Sequence, residues 1–277
     1  VVQDDFALLQ LIVYIPVLVL GIPLNTIAFW VFCCKLKSWS ETKVYMINLI
    51  IADTSLLVTL PFIIYFSKYN HPLDRLCFAI DNIYFTNMPM SIFIITLIAI
   101  DRYIAIKFPL KAKILRSPLK SASICGFLWI TLIIYCNALP RFHSRWERYC
   151  FRKQSLEPRY LSLFYIIVGY FIPLGIVIFC SVQVIRCLKK KMTTNPHETK
   201  LIQKAMYIIS VNLCVFAVCF SPLHIALLLR FAVEAAKTSL APGVTTFIKI
   251  SACLANCNCC LDAFCYYFAA KEFQEFS

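Results

Sequence analysis

Read for alternation of apolar and polar positions, the chain shows long apolar stretches parted by short polar ones. Seven stretches cover about 7–34, 43–66, 76–106, 121–139, 160–188, 202–233 and 244–268. A helix crossing a bilayer needs roughly 20 mostly apolar residues, and each run satisfies that. The runs are too long and too uniformly apolar for barrel strands, so helices are the predicted spanning element. The expectation is an all-α integral membrane protein, a seven-transmembrane helix bundle forming one domain over 1–277. Asp4 and Asp5 precede the first run, which exceeds the apolar core of a signal peptide, so that run is read as a span. Pro23, Pro61, Pro89, Pro173 and Pro222 fall inside runs, where neighbouring helices re-satisfy the freed carbonyl and a kink remains. Ala270 to Phe276 has amphipathic spacing and is predicted as a short eighth helix, about 270–277, along the inner surface.

Composition agrees with lipid as the solvent. The chain is 61% hydrophobic and 15% charged, against about 45–50% and 25% for soluble domains. Lys and Arg concentrate in alternate turns: Lys35, Lys37 and Lys43, then Arg102 to Lys120, then Arg186 to Lys204, then Lys271. Positive charge stays inside, which puts the amino terminus outside and the carboxyl end in the cytoplasm. Attraction to anionic lipid headgroups accounts for part of this charge. Most of the 15 cysteines lie inside apolar runs, where a reduced thiol acts as a small hydrophobe. Only Cys77 and Cys150 fall in outward segments, where oxidation is expected.

Ionisable residues within a span are expensive and mark function. Asp53 lies in the second run and Asp262 in the seventh, with Asn25, Ser91 and Asn258 at similar depth. Oxygen donors of this kind suit a hard cation, and sodium at Asp53, Ser91, Asn258 and Asp262 is expected, with no other cofactor. Asp101-Arg102-Tyr103 closes the third run; an Arg beside an Asp at a helix end has two alternative partnerships. His71, His143, His197 and His224 are scattered, without metal spacing or a paired nucleophile, so no enzyme is expected. An organic-anion transporter is the alternative; it explains buried carboxylates and a basic mouth, but not an unrepeated bundle ending in Asp-Arg-Tyr.

The joint pattern resembles the rhodopsin-like receptor family. It comprises Asn25; Asn48 to Asp53 with Leu60-Pro61-Phe62; Cys77 to Asp101-Arg102-Tyr103; Trp129; Pro173; Cys219-Phe220-Ser221-Pro222; and Asp262-Ala263-Phe264-Cys265-Tyr266. The resemblance implies coupling to a heterotrimeric G protein, engagement by arrestin, residence in the plasma membrane, and a Cys77–Cys150 bridge. It implies that Asp101, Arg102 and Tyr103 form the G-protein interface. Ile92, Pro173, Phe216, Phe220, Pro222 and Tyr266 would form the activation switch. The chain departs from the family in three places. Ala263 replaces a helix-kinking proline, Ser181 stands where a tyrosine supports the active state, and Ile202 replaces an acidic partner for Arg102.

Tyr84 occupies the place where amine receptors carry Asp, and Asn256 the place where opsins carry the Schiff-base Lys. The outer face is basic instead: Arg141, Arg145, Arg148, Arg152, Lys153 and Arg159, with Arg230 and Lys249 on helices. Guanidinium forks match carboxylates and phosphates, and a positive rim raises anion capture. Tyr84, Phe85, Met88, Phe220 and His224 would supply an aromatic floor. The expected ligand is an amphipathic anion with a carboxylate or phosphate head on an aromatic or acyl body, and no nucleic acid. Asn258-Cys259-Cys260-Leu261-Asp262, Phe32-Cys33-Cys34 and Pro222-Leu223-His224 resemble the lysophosphatidylinositol and lysophosphatidic acid receptor branch. That likeness implies a lysophospholipid or an aromatic acid such as kynurenate as the ligand, and Gi or G12/13-type coupling. Met88 and Leu139 stand where a similar receptor next to that branch carries arginines, so that receptor's small-acid specificity is not carried over intact.

Overall fold

Proline placement explains much of the backbone in the computed structural model, which describes residues 2–35, 39–69, 71–143, 150–151, 160–192, 195–237 and 240–265. Helix α1 (Val2–Trp30) continues into a π-helical turn at Val31–Lys35, followed by α2 (Glu41–Tyr69), α3 (Arg75–Lys107) and the short α4 (Pro109–Leu115). Then come α5 (Pro118–His143), α6 (Tyr160–Ile166), α7 (Ile172–Lys190), α8 (Pro196–Ala236) and α9 (Ala241–Asn256). Residues 258–265 resume the last helix. Seven spans long and apolar enough to cross a membrane run Leu8–Lys35, Glu41–Tyr69, Arg75–Lys107, Pro118–Cys136, Ser162–Lys190, Pro196–Ala236 and Pro242–Cys265. They match the seven sequence runs, each boundary shifting by a few residues. The eighth helix expected near 270–277 lies outside the described residues.

Local chemistry sets the helix ends. Asp74 caps α3 by accepting from the Cys77 backbone N–H at 2.8 Å, and Asn195 caps α8 by accepting from that of His197 at 3.0 Å. Pro109, Pro118 and Pro196 open their helices, where a missing N–H costs nothing. Between α6 and α7 the chain widens into a π-helical turn, Ile167–Phe171, where Ile172 N–H reaches Ile167 O. Pro173 follows at once, so a ring that cannot donate is absorbed by a widened turn.

Lipid-facing and core positions separate cleanly. Val19 at 65% and Phe127 at 69% stay exposed on the outer surface, as bilayer-facing side chains should. Inward, Met46, Leu49, Ile50, Met90 and Ile94 form one core cluster. A second holds Ile92, Tyr170, Val177, Phe216, Phe220 and Leu223. A third, toward the disulfide end, holds Tyr14, Leu57, Leu60, Tyr84 and Cys253. The first, second and last spans meet closely at Gly21, where an added Cβ would lie 2.8 Å from Leu57 Cδ2 and 3.0 Å from Cys260 Sγ. Trp129 Nε1 donates to Asn48 Oδ1 at 3.1 Å, tying α5 to α2.

Candidate functional site

At one end of the bundle, Cys77 and Cys150 form a disulfide with Cα atoms 5.9 Å apart. It fastens the start of α3 to the segment after α5, and Cys150 N–H donates to His71 O at 2.9 Å. The Cys77 N–H, with help from His71, holds Asp74 below the usual carboxylate range. The next residue, Phe151, has φ 57°, a left-handed conformation that is rare for a bulky side chain. Its ring lies 5.5 Å from Tyr84, 6.1 Å from Phe85 and 6.3 Å from Phe66. Backbone strain is retained where surrounding structure over-determines it; here the neighbouring disulfide and three aromatic rings do so. Nothing in the sequence pattern singled out Phe151, because its role depends on a conformation set by its neighbours.

Beneath Phe151 the expected aromatic floor is only partly there. Tyr84 is buried, and its hydroxyl meets the Asn256 side chain, accepting from Nδ2 at 3.2 Å. Asn256 Nδ2 also donates to the Tyr14 hydroxyl at 2.8 Å. Tyr84 and Asn256, read separately against the amine and opsin positions, are thus one polar link joining the first, third and last spans. His224 is no floor residue: it is 1% exposed and stacks on Tyr170, ring centroids 4.0 Å apart. Its Nδ1 donates to Phe220 O at 2.8 Å, which satisfies a buried ring nitrogen locally. Met88 is partly buried against the cluster that includes Ile92 and Phe220.

That cluster brings together most of the expected switch. Ile92, Phe216 and Phe220 are buried in it, Pro173 is buried on α7, and Pro222 lies inside α8. Phe216 and Phe220 meet edge-on with centroids 5.4 Å apart. Tyr170, absent from the sequence reading, stacks on both Phe216 and His224 and hydrogen-bonds Ser221 at 2.6 Å. Tyr266 lies outside the described residues. The last span breaks at Cys257, where N–H bonds fall back to Leu254 O, rather than after Asp262. Asp262 and Ala263 lie within the helical stretch that resumes at residue 258.

Of the basic rim, Arg145 lies outside the described residues, and Arg141 lies near the end of α5. Arg230 stands on α8 and is paired: Nε to Glu234 Oε1 at 2.7 Å, with the Glu234 side chain 4% exposed and that of Arg230 24%. Lys249 Nζ sits 4.6 Å from the centroid of the Phe6 ring. Both partners, Glu234 and Phe6, were missed: an i, i+4 pair near a helix end resembles ordinary surface charge, and Phe6 is distant from Lys249 along the chain.

Midway, Asp53, Ser91, Asn258 and Asp262 are all buried. Asp53 and Asp262 interact electrostatically, and Asn258 Nδ2 donates to the Asp262 carboxylate. Among the described residues, Asp53 Oδ2, Ser91 Oγ and Asn258 Oδ1 have no hydrogen-bond partner. Buried oxygens without donors, around two carboxylates, are the donor set a hard cation takes. The residues therefore fit sodium.

At the opposite end, the cation seated on Asp101 is Arg116. Arg116 Nε and Nη2 reach the two Asp101 oxygens at 2.7 and 2.9 Å, and Thr42 Oγ1 donates to Oδ2 at 2.9 Å. Glu41 lies 3.2 Å from Arg116 Nη2. Burial pulls the Arg116 pKa down, but the bond to Asp101 and the charge of Glu41 outweigh it, so the guanidinium stays charged. The carboxylate expected to hold its neighbour Arg102 is thus engaged by a residue 15 positions on. Arg102 lines a cavity of about 40 Å³ with Val177, Ser181, Ile209 and Asn212. Small Ser181, where the family resemblance places a tyrosine, borders this space. Tyr103 packs between Phe108 and Phe179, at 5.8 and 5.7 Å. Among the described residues, no group of His, Cys, Asp or Glu assembles a transition-metal site.

A family model described as 7 transmembrane receptor (rhodopsin family) matches residues 24–266. The chain is 41% identical to G-protein coupled receptor 35 of Homo sapiens, over 94% of this chain and 83% of that one. It is 35% identical to G-protein coupled receptor 55 of Homo sapiens, over 99% and 88%. It is also 35% identical to lysophosphatidic acid receptor 6 of Gallus gallus, over 95% and 90%.

Proposed function

The chain belongs to the rhodopsin family of seven-transmembrane receptors, which are not enzymes, and from that premise we propose that it senses an anionic amphipath at the plasma membrane. Its amino terminus lies outside, and it signals to heterotrimeric G proteins of the Gi or G12/13 type, with arrestin as a further partner. The ligand is a lysophospholipid or an aromatic carboxylic acid. Relatives named as lysophosphatidic acid receptors support the first class. The observation that carries the reading is Arg230, a guanidinium on α8 eight residues beyond Pro222 and on the same helix as the packed Phe216–Phe220 pair.

The mechanism follows from that placement. An anionic head on Arg230, with Lys249, Arg141 and Arg145 adding to the field, leaves the apolar body over Phe151, Phe85 and Tyr84. A ligand shifts an existing equilibrium by binding one arrangement better. Here the favoured arrangement moves α8 about Pro222 and repacks Phe220 and Phe216 against Ile92 and Tyr170. The Asp101 end of the bundle then parts, and Arg102, beside its cavity, becomes available to the G protein. Bound at Asp53, Ser91, Asn258 and Asp262, sodium would offset one of the two carboxylate charges and favour the resting arrangement.

G-protein dissociation in cells, measured against a panel of lysophospholipids and aromatic acids, tests the reading. Wild type responds to at least one of them, and Arg230→Ala loses that response while remaining at the surface. Silence of surface-expressed wild type across every Gα class would overturn it.

A further inference from the structure

Two adjacent exposed thiols end the first span. Its last turn, Val31–Lys35, is π-helical and carries Cys33 and Cys34. Phe32 is buried in the core cluster of Met46 and Leu49, while both thiols are exposed. A widened turn of this kind often marks a functional place. Neighbouring side chains fix its depth. Trp30 and Trp39 are exposed, with Lys35 Nζ 5.0 Å from the first ring and Lys43 Nζ 4.5 Å from the second. Indoles and lysines so placed gather where bilayer meets water. The disulfide fixes the side of the membrane. Cys77–Cys150 needs an oxidising compartment. From Glu41, close in sequence to the thiols, α2 crosses the bundle to Tyr69, two residues before the His71 carbonyl that Cys150 N–H reaches. Cys33 and Cys34 therefore face the reducing side, which also holds acyl-coenzyme A. Among the described residues, the other exposed free thiol is Cys214. It lies within α8, about 15 Å along the helix axis from Lys204, too deep for a water-borne thioester.

We propose that Cys33 and Cys34 form an S-acylation site that takes long-chain acyl groups from acyl-coenzyme A. Juxtamembrane cysteines are substrates for reversible acylation of this kind. The thiolate of either residue attacks the carbonyl carbon of the incoming thioester. The bond from that carbon to the coenzyme A sulfur breaks, a bond to Sγ forms, and the thiol proton leaves with coenzyme A. One thioester replaces another, so no oxidant or reductant is needed. The placement suits the product. A chain attached at the interface enters the inner leaflet directly, beside Phe29 and Trp30, which lie one turn earlier and are exposed. Membrane attachment of the α1 end then rests on added acyl chains as well as the interfacial indoles. The site is separate from whatever binds at the disulfide end.

Mass-tag exchange on the full chain expressed in mammalian cells tests the site. Free thiols are blocked, thioesters are cleaved with hydroxylamine, and each thiol so released takes one polymer tag. Wild type should carry one or two tags, each of Cys33→Ser and Cys34→Ser at most one, and the double variant none. Cys187→Ser and Cys214→Ser should keep the wild-type pattern. Alkyne-labelled palmitate fed to the cells should mark wild type and not the double variant, compared at equal surface abundance. Where the double variant does not reach the surface, loss of a tag in the single variants decides. Wild type without hydroxylamine-dependent tags would overturn the proposal, as would tags that persist when both cysteines are replaced. Thiols released by dithiothreitol but not by hydroxylamine would also overturn it, because they would mark a disulfide between the two neighbours.

Discussion

Replacing Arg116 by Ala is the most direct probe of the Asp101 end. Asp101 is 7% exposed and takes two charge-assisted bonds from Arg116, at 2.7 and 2.9 Å. Truncation leaves that carboxylate buried with Thr42 as its remaining hydrogen-bond donor. Breaking a fully buried pair costs about 3–5 kcal/mol. The Arg116 side chain is 27% exposed, so water reaches part of the vacated space, and the expected loss is about 2 kcal/mol. At about 2–4 °C per kcal/mol for a chain of this size, the melting temperature in detergent should fall by about 4–8 °C. Arg116→Lys should recover about half, because an ammonium is a point charge and cannot span both oxygens. Asp101→Asn combined with Arg116→Ala should be less destabilised than the sum of the single variants by about 1 kcal/mol, since the stranded charge is gone. Melting of Arg116→Ala within about 1 °C of wild type, or strict additivity in the cycle, would refute the reasoning. The consequence reaches α4, seven residues long with no side-chain cap at Phe108. So short a helix depends on tertiary anchors, and Arg116 is the residue that follows it.

Three further outcomes are expected. The cap of Asp74 on α3 should weaken in acid: a carboxylate held below its usual range stabilises above about pH 4, and that contribution is lost as pH falls through the lowered value. Amide protection at the start of α3, taken relative to the intrinsic exchange rate at each pH, should therefore fall as pH falls in wild type but not in Asp74→Ala. Gly21→Val should destabilise by about 1–3 kcal/mol through overpacking, because Leu57 and Cys260 already crowd the position; thermal melting and surface abundance read this, and unchanged values would contradict the close approach of the spans. Wild-type ligand affinity should depend on sodium and that of Asp53→Asn should not; the same sodium dependence in both would remove sodium from the Asp53 site.

Seven membrane-spanning helices and the buried polar positions were legible from the chain alone. A membrane demands apolar runs of a set length and makes each internal carboxylate conspicuous, so Asp53, Asp262 and Asp101 stand out by cost. Side-chain partnership was not legible. Arg116 answering Asp101, Asn256 joining Tyr14 to Tyr84, and Glu234 seated on Arg230 are pairings in space. Sequence spacing suggests only the last of these. His224 shows the same limit: an ionisable residue two positions past a helix-kinking proline reads as a floor residue. Packing against Tyr170 and a backbone carbonyl make it core. Phe151 carries no signal at all, because its position over Tyr84 depends on a disulfide and a left-handed turn. Hydrophobic burial in a bilayer is a one-dimensional property, summed along the chain, and the sequence determines it. Which charge meets which, and which ring covers which, depends on helix rotation and loop return, and only the packed bundle decides them.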